Sequence, residues 1–261
     1  MVSFVGAGPG AVDLITVRGS KLLQSADVVI YAGSLVNKEL LSLCKKDCEI
    51  HNSAVMTLEE VIFIIQKAET AGKNTVRLHT GDPCLYGAIR EQMDALDFLH
   101  IEYEVVPGVS SFCGAAAALN LEYTLPEVSQ SVIITRMEGR TPVPEKESIE
   151  SFASHGATMV IFLSAGMLEK LQSRLISGGY APETPAAIVY KASWEDEKKV
   201  LCTVGTLSQS AVKNDISKTA LIIVGKVVAQ SGGGNETLYS RSKLYDPDFT
   251  TGWREGVHGR S

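Results

Sequence analysis

The chain lacks several features that mark particular classes of protein. Its 261 residues contain no run of about 18 apolar residues, the length that a membrane-spanning helix needs. The net charge of -6 leaves no basic excess for general contact with nucleic acid or with an anionic membrane surface. Because the first apolar run begins at residue 2, we also expect no signal peptide. These absences predict a cytoplasmic protein that binds neither nucleic acid nor membrane.

Cysteine is scarce and scattered. An odd set of five fits reduced thiols better than a disulfide framework; they are Cys44, Cys48, Cys84, Cys113 and Cys202. The spacing of Cys44, Cys48 and His51 suggests zinc, but a fourth ligand at a suitable spacing is missing. We therefore expect no metal site. The chain also lacks a G-x-S-x-G elbow, a Walker lysine and an H-E-x-x-H motif, so no catalytic residue can be named.

Strand and helix alternate in the first half of the chain. Short apolar runs that end in turn residues predict strands at 2–6, 27–31, 75–79 and 102–106. Thr57 and Glu60 form a capping box for a helix that Gly72 ends, and a helix of small residues runs from Cys113 to Leu119. This alternation predicts a mostly parallel sheet in an N-terminal α/β domain at 1–118.

The second half of the chain has more predicted strands than helices. Its predicted strands are 131–136, 158–163, 186–191, 199–204 and 220–228, with helices only near 145–154 and 167–177. The charged stretch Trp194-Glu195-Asp196-Glu197 predicts a hairpin tip. We expect a separate α/β domain with a mixed sheet at 119–229 and a polar C-terminal tail at 230–261.

Three predicted strands of the first domain end in glycine-bearing loops. These are the glycine loop (residues 6–11), the Gly-Asp-Pro loop (residues 81–87), in which Gly87 is expected to open a helix, and the Pro-Gly loop (residues 107–111). The carboxyl ends of parallel strands meet at one edge of the sheet, which is where open α/β sheets bind ligands. The pattern predicts a small-molecule site and favours an enzyme, with a non-enzymatic binding module as an alternative. Asp82 either closes its own turn or contacts the ligand.

The glycine loop also satisfies the G-x-G-x-x-G/A fingerprint of dinucleotide-binding folds, so an NAD(P)-dependent oxidoreductase is an alternative. Two details count against it. Pro9 removes a backbone donor from the turn that should cradle a pyrophosphate. The expected acid after the second strand is absent, since Tyr31 is followed by Ala32 and Gly33.

In combination and in this order, the loops resemble those of the tetrapyrrole (corrin/porphyrin) methyltransferase family. The likeness covers about residues 1–228 and also includes Asp13-Leu14-Ile15-Thr16 after the glycine loop. The segment Tyr31-Ala32-Gly33-Ser34-Leu35-Val36 is most similar to the subgroup that methylates precorrin-4 or cobalt-precorrin-4 at ring carbon 11 in cobalamin biosynthesis. Methylation at another precorrin ring position stays an alternative, and whether the ring holds cobalt stays open.

The resemblance implies a homodimer of two-domain chains that hold S-adenosylmethionine (SAM) in a cleft between the α/β domains, facing a small-molecule tetrapyrrole. The implied SAM contacts are Pro9, Thr80, Gly81, Asp82, Leu85, Ser110 and Ser111 from the first domain, with Leu163 and Ala192 from strand ends of the second. Basic residues suit the carboxylates of the substrate, and a tyrosine suits its flat ring. The expected substrate contacts are Gly8, Gly10, Ser34, Arg77, Tyr86 and Arg136.

Overall fold

The computed structural model describes residues 1–231 and 239–257. The chain divides into two compact units. The first consists of Met1–Ala115 together with Lys191–Lys198, and the second of Ala116–Tyr190 together with Lys199–Ser261. A segment from late in the sequence is therefore part of the first unit, which no local pattern in the sequence indicated.

The first unit contains a five-stranded parallel sheet in the order β3-β2-β4-β1-β5. Four strands were predicted with bounds correct to within one residue. The strands are β1 (Val2–Gly6), β2 (Val28–Tyr31), β3 (Glu49–Asn52), β4 (Thr75–His79) and β5 (Tyr103–Val106). The first helices in the chain are α1 (Val17–Ser25), α2 (Leu58–Thr70), α3 (Arg90–Phe98) and α4 (Ser111–Leu119).

Sequence reasoning missed β3 and α1 in this part of the chain and misplaced the start of α3. β3 has the polar sequence EIHN and lies at the sheet edge, so it has no apolar run from which a strand could be predicted. The expectation that Gly87 opens a helix is wrong, because α3 begins at Arg90. Tyr86 and Ala88 have positive φ angles of 56° and 49°, which a right-handed helix does not accept.

Both faces of the parallel sheet are covered. Along β1, Val2 and Phe4 contribute to one buried cluster with Ile65 of α2, whereas Val5 contributes to another with Leu23 of α1. α2 begins with the predicted Thr57–Glu60 capping box, and its apolar stripe faces the first cluster. Burial on both faces explains the nearly continuous apolar strands, since each fully buried Ile, Leu or Phe contributes about 1.5–3 kcal/mol.

The second unit contains a mixed sheet in the order β6-β7-β10-β8-β9. β6 pairs with β7 in parallel, and β10 pairs with β7 and β8 in the antiparallel sense. The strands are β6 (Val132–Arg136), β7 (Thr158–Phe162), β8 (Pro185–Tyr190), β9 (Lys198–Thr203) and β10 (Ala220–Val224), and the helices are α5 (Ile149–Ala153), α6 (Leu168–Ser177) and α7 (Leu207–Lys213). The chain thus has the two-domain α/β fold that was predicted. Within the described ranges no helix is long and apolar enough to cross a membrane.

Candidate functional site

The three glycine-bearing loops meet at the carboxyl edge of the parallel sheet. A Cβ placed on Gly108 would lie 2.1 Å from the carbonyl oxygen of Gly81 and 2.7 Å from the Cα of Gly6. A Cβ on Gly6 would lie 2.5 Å from the Cα of Gly108. Backbone therefore packs directly on backbone, and these positions exclude any side chain. The rim that the sequence predicted is present.

The glycine loop and the Gly-Asp-Pro loop are joined by a short ladder. The amide of Gly81 donates to the carbonyl of Gly8 at 2.9 Å, and the amide of Gly8 donates back to Gly81 at 3.3 Å. Both glycines have positive φ angles, 80° at Gly8 and 61° at Gly81, so the ladder depends on their conformational freedom.

Asp82 connects two loops. Its Oδ1 accepts a hydrogen bond from the amide of Cys84 at 2.8 Å, which is the turn that the sequence allowed. Its Oδ2 accepts from the amide of Gly108 at 2.9 Å, a contact that no local pattern predicted. Burial raises the pKa of Asp82, but the hydrogen bonds from Cys84 and Gly108 outweigh this effect and hold the pKa below its usual range. The carboxylate is therefore charged at neutral pH. Its contact with a cofactor stays a prediction.

The hydroxyl of Thr80 is a candidate contact for a ligand. Its Oγ1 is buried, and within the part of the chain that the structure describes it has no hydrogen-bond partner. An unpaired buried hydroxyl costs about 1–3 kcal/mol unless another molecule satisfies it. Ser110, which is only 6% exposed, and Ser111 lie at the adjacent start of α4. Leu85 closes the turn by donating its amide to the Asp82 carbonyl at 3.3 Å. Small residues with one unsatisfied polar atom suit a cofactor that approaches the backbone closely.

Trp194 covers the glycine loop, a contact that sequence reasoning missed. Its indole Nε1 donates to the carbonyl of Pro9 at 3.1 Å, and a Cβ on Gly10 would lie 2.1 Å from Trp194 Cδ1. Trp194 lies between β8 and β9, where the sequence predicted a hairpin tip, and its side chain is half-buried. A tryptophan within a charged stretch was the only signal in the sequence.

Most backbone donors of the glycine loop are occupied or absent, which argues against a dinucleotide. The amide of Gly8 donates to Gly81, Pro9 has no amide hydrogen, and the amide of Ala11 donates to Ser193 Oγ at 3.0 Å. A pyrophosphate needs free amide donors at this turn. The NAD(P) alternative loses its structural basis.

Among the ten described residues other than glycine that have positive φ angles, three bear on the predicted site or its neighbours. Leu163 follows β7 with a φ of 53° and is 64% exposed, Tyr86 has a φ of 56°, and Lys191 follows β8 with a φ of 45°. Such conformations cost about 1–3 kcal/mol for residues other than glycine and cluster at functional sites. Ala192 is buried, and its Cβ lies 3.5 Å from where a Cβ on Gly114 would be.

Two basic residues of β4 point into the first unit. Arg77 is 6% exposed and donates to Gln92 Oε1 and to the Ile30 carbonyl, each at 2.9 Å. His79 is 3% exposed, and its Nε2 has no partner among the described residues. Burial lowers the pKa of Arg77 to about 10. Burial, aided by the charge of Arg77, lowers the pKa of His79 to about 3, so its imidazole is neutral.

Arg136 and Ser34 are the remaining side chains among the predicted substrate contacts. Arg136, in the second unit, donates to the carbonyls of Met137, Thr141 and Pro142 and so braces the loop after β6. Ser34 lies in the short turn Gly33–Leu35, and its side chain is outside the described part of the structure. The roles assigned to these residues, and to Arg77, stay predictions.

The fold and these loops define a two-domain α/β protein with a candidate small-molecule site at the carboxyl edge of its parallel sheet. The model of the tetrapyrrole (corrin/porphyrin) methylases matches residues 1–208. The chain belongs to this family and is a methyltransferase.

Individual relatives agree with the family match. The chain is 54% identical to the cobalt-precorrin-4 C(11)-methyltransferase of Methanocaldococcus jannaschii, over 97% of this chain and 96% of that protein. Its fold superimposes on a crystal structure of a cobalt precorrin-4 methyltransferase with a TM-score of 0.85 and 46% identity, covering 87% of this chain and 95% of the other. A uroporphyrin-III C-methyltransferase of Thermus thermophilus, complexed with S-adenyl homocysteine, superimposes with a TM-score of 0.73 and 27% identity over 87% and 92% of the two chains.

Proposed function

We propose that this chain transfers a methyl group from SAM to ring carbon 11 of cobalt-precorrin-4 or precorrin-4, a step of cobalamin biosynthesis. The observation that carries the proposal is the 54% identity, along nearly the whole chain, to a protein of that name. The identity to the cobalt precorrin-4 methyltransferase structure supports it and favours the cobalt-containing ring. The occupied glycine loop favours it over a nicotinamide enzyme.

The proposed SAM site is the rim formed by the three loops. Its proposed members are Pro9, Thr80, Gly81, Asp82, Leu85, Ser110, Ser111 and Ala192, all in the first unit. Leu163, in the second unit, is proposed as a SAM contact on the family resemblance alone. The unsatisfied Thr80 hydroxyl and the absence of side chains at the glycines fit a cofactor held close to the backbone. The complex of the Thermus thermophilus relative supports the choice of SAM.

SAM supplies an electrophilic methyl group, so the protein needs neither a nucleophile nor a metal for this reaction. What the residues supply is position, which can contribute up to about 7–11 kcal/mol when the reacting atoms are held in line. The backbone ladder between Gly8 and Gly81 and the Asp82 contact to Gly108 make the rim rigid enough for this task. Carbonyl oxygens at the rim suit a sulfonium, because they approach a cation without a bulky side chain.

The substrate side of the site is proposed at Gly8, Gly10, Ser34, Arg77, Tyr86 and Arg136. Tyr86 is 45% exposed and can lie against a flat ring. Arg136 suits a carboxylate, since its guanidinium is held by three carbonyls and keeps further N–H donors. We further propose a cytoplasmic homodimer. The free state of all five cysteines is compatible with that compartment.

Isothermal titration with S-adenosylhomocysteine, beside NAD and NADP, tests the cofactor. We expect saturable binding of S-adenosylhomocysteine alone; binding of a nicotinamide nucleotide instead would overturn the proposal. Turnover with methyl-labelled SAM and precorrin-4, with and without cobalt, tests the substrate. Carbon NMR of the product then assigns the ring position, and a label on any carbon other than 11 would move the chain to the alternative ring position.

A further inference from the structure

The segment Lys191–Lys198 lies between β8 and β9 in sequence but is part of the first unit. It holds the glycine loop at two points. Trp194 Nε1 donates to the carbonyl of Pro9 at 3.1 Å, and Ser193 Oγ accepts from the amide of Ala11 at 3.0 Å. Each bond joins residues more than 180 positions apart in the chain. The loop position therefore depends on this distant segment.

Gly10 fits beneath the indole only because it has no side chain. A Cβ there would lie 2.1 Å from Trp194 Cδ1 and 2.3 Å from Nε1, which is far inside van der Waals contact. The φ of Gly10 is not in the left-handed region, so an alanine would be acceptable to the backbone. The three heavy atoms nearest to such a Cβ all belong to Trp194, so the indole is what a side chain at this position would meet first.

The segment is braced from within. The Lys191 ammonium lies 5.4 Å from the centroid of the Trp194 ring and pairs with Asp196 at 2.5 Å. Glu197 Oε2 accepts from the amide of Ser193 at 2.7 Å. Lys191 and Ser193 both hold positive φ angles, of 45° and 68°. A strained turn with this many internal bonds presents Trp194 in one orientation.

Pro9 is held from a second side. A Cβ on Gly114 of α4 would lie 2.8 Å from the Pro9 Cβ, so the proline ring packs against the helix backbone. The carbonyl of Gly10 also accepts from Asn37 Nδ2 at 3.0 Å. Because Trp194 and Gly114 both contact the glycine loop, its movement is restricted.

We propose that Trp194 is a positioning residue for the cofactor site. Together with Ser193 it clamps residues 9–11 and so fixes Pro9, at which the proposed function places a SAM contact. The inference therefore rests on the proposed function for one point, which is that Pro9 contacts SAM. Trp194 acts through the loop and does not itself take part in methyl transfer.

Titration of S-adenosylhomocysteine into Trp194→Ala tests the proposal. We expect affinity to fall by about tenfold, because a displaced Pro9 no longer meets the cofactor in its bound position; tenfold corresponds to about 1.4 kcal/mol of binding free energy. In turnover, the KM for SAM should rise more than kcat falls, as expected when ground-state and transition-state binding are lost together. Trp194→Phe, which covers Gly10 but lacks the Nε1 donor, should recover part of the affinity. Equal affinity in wild type and Trp194→Ala would overturn the inference.

A substitution at Gly10 separates positioning from general stability. Gly10→Ala should weaken binding of S-adenosylhomocysteine in the wild type but add no further loss in a Trp194→Ala background, where the new methyl group has room. Gly252→Ala is the control, since its Cβ would meet nothing within 4 Å and its φ is not positive. Equal losses from Gly10→Ala in both backgrounds would contradict the clamp, whether or not Trp194→Ala is less stable.

Fluorescence provides a readout that needs no cofactor. Trp194 and Trp253 are the only tryptophans, so Trp253→Phe makes Trp194 the single reporter. Adding Gly10→Ala should shift its emission to the red as the indole is pushed into solvent, and an unchanged spectrum would refute the contact. If the wild type fails to bind S-adenosylhomocysteine while this shift appears, the proposed function fails and the clamp stands as a structural contact.

Discussion

The Oδ2 of Asp82 accepts a hydrogen bond from the amide of Gly108 at 2.9 Å, between residues 26 positions apart. Asp82 follows β4 and Gly108 follows β5, two strands that are separated in the sheet by β1. The bond therefore passes across the end of β1, where Gly6 leaves no side chain in the way. One carboxylate thus joins the outer two of the three loops over the middle one.

Replacing Asp82 should loosen the rim. Asp82→Ala removes the acceptor for both the Cys84 and the Gly108 amides; water can replace it at the exposed Cys84, but the part-buried Gly108 amide left unpaired costs about 1–3 kcal/mol in the free energy of unfolding. Asp82→Asn keeps one acceptor oxygen and should fall between alanine and wild type. Urea unfolding measures the stability and titration with S-adenosylhomocysteine measures the site. Wild-type affinity in both variants would show that Asp82 neither shapes nor contacts the cofactor site.

The Asp82 carboxylate should make the stability of the chain depend on pH in acid. Since the pKa of Asp82 is lower in the folded chain than its ordinary value of 3.8, its contribution is complete above that value and is lost as the pH falls through the folded pKa. Unfolding curves measured from pH 5 downward should therefore converge for wild type and Asp82→Asn. A gap between the two proteins that widens with acidity would contradict this assignment.

Gly108→Ala should destabilise the first unit. The new methyl group would lie 2.1 Å from the Gly81 carbonyl oxygen, and backbone atoms cannot rotate away as a side chain can. Overpacking of this kind costs about 1–3 kcal/mol. Gly139→Ala is the matched control, because its nearest neighbour would be Met167 Cε at 3.5 Å, an ordinary contact. Thermal unfolding compares the two variants, and equal melting temperatures would mean that the loops do not pack as described.

His79 should make stability depend on pH in the mildly acidic range. Burial, with the nearby charge of Arg77, lowers its pKa from 6.5 to about 3. The unfolded chain binds a proton between these values and the folded chain does not, so stability falls as the pH drops through this window. The slope from one such proton is about 1.4 kcal/mol per pH unit. His79→Phe should remove that slope from the stability–pH curve, and an unchanged slope would disprove the buried neutral imidazole.

Leu163→Gly should separate stability from binding. The left-handed conformation of Leu163 is strained, and the side chain is 64% exposed, so glycine should leave stability unchanged or raise it by about 1 kcal/mol. Binding of S-adenosylhomocysteine should weaken if Leu163 contacts the cofactor as proposed. Leu201→Gly in β9 is the control: it is similarly exposed at 56% but has no positive φ, and it should lose about 0.5–1 kcal/mol. Destabilisation of both variants alike would remove the argument from strain.

Much of the fold follows from local chemistry. The strands of the parallel sheet are covered on both faces, so all but the edge strand β3 appear as apolar runs that end in turn residues. The α2 start was readable because the Thr57–Glu60 capping box uses residues three positions apart. α1 and α7 were not predicted, and the helix expected to open at Gly87 begins only at Arg90, because short helices with polar faces give a weak periodic signal.

The sequence by itself determined the α/β alternation, the places of the three loops and the family to which they belong, because those features depend on neighbours along the chain. Only the tertiary structure decided that Asp82 reaches Gly108, that Arg77 and His79 are buried, and that Trp194 lies on Gly10. These contacts follow from the strand order β4-β1-β5 and from the packing of Lys191–Lys198 in the first unit. Strand order and long-range packing are set by burial of the whole chain, which no window of neighbouring residues records.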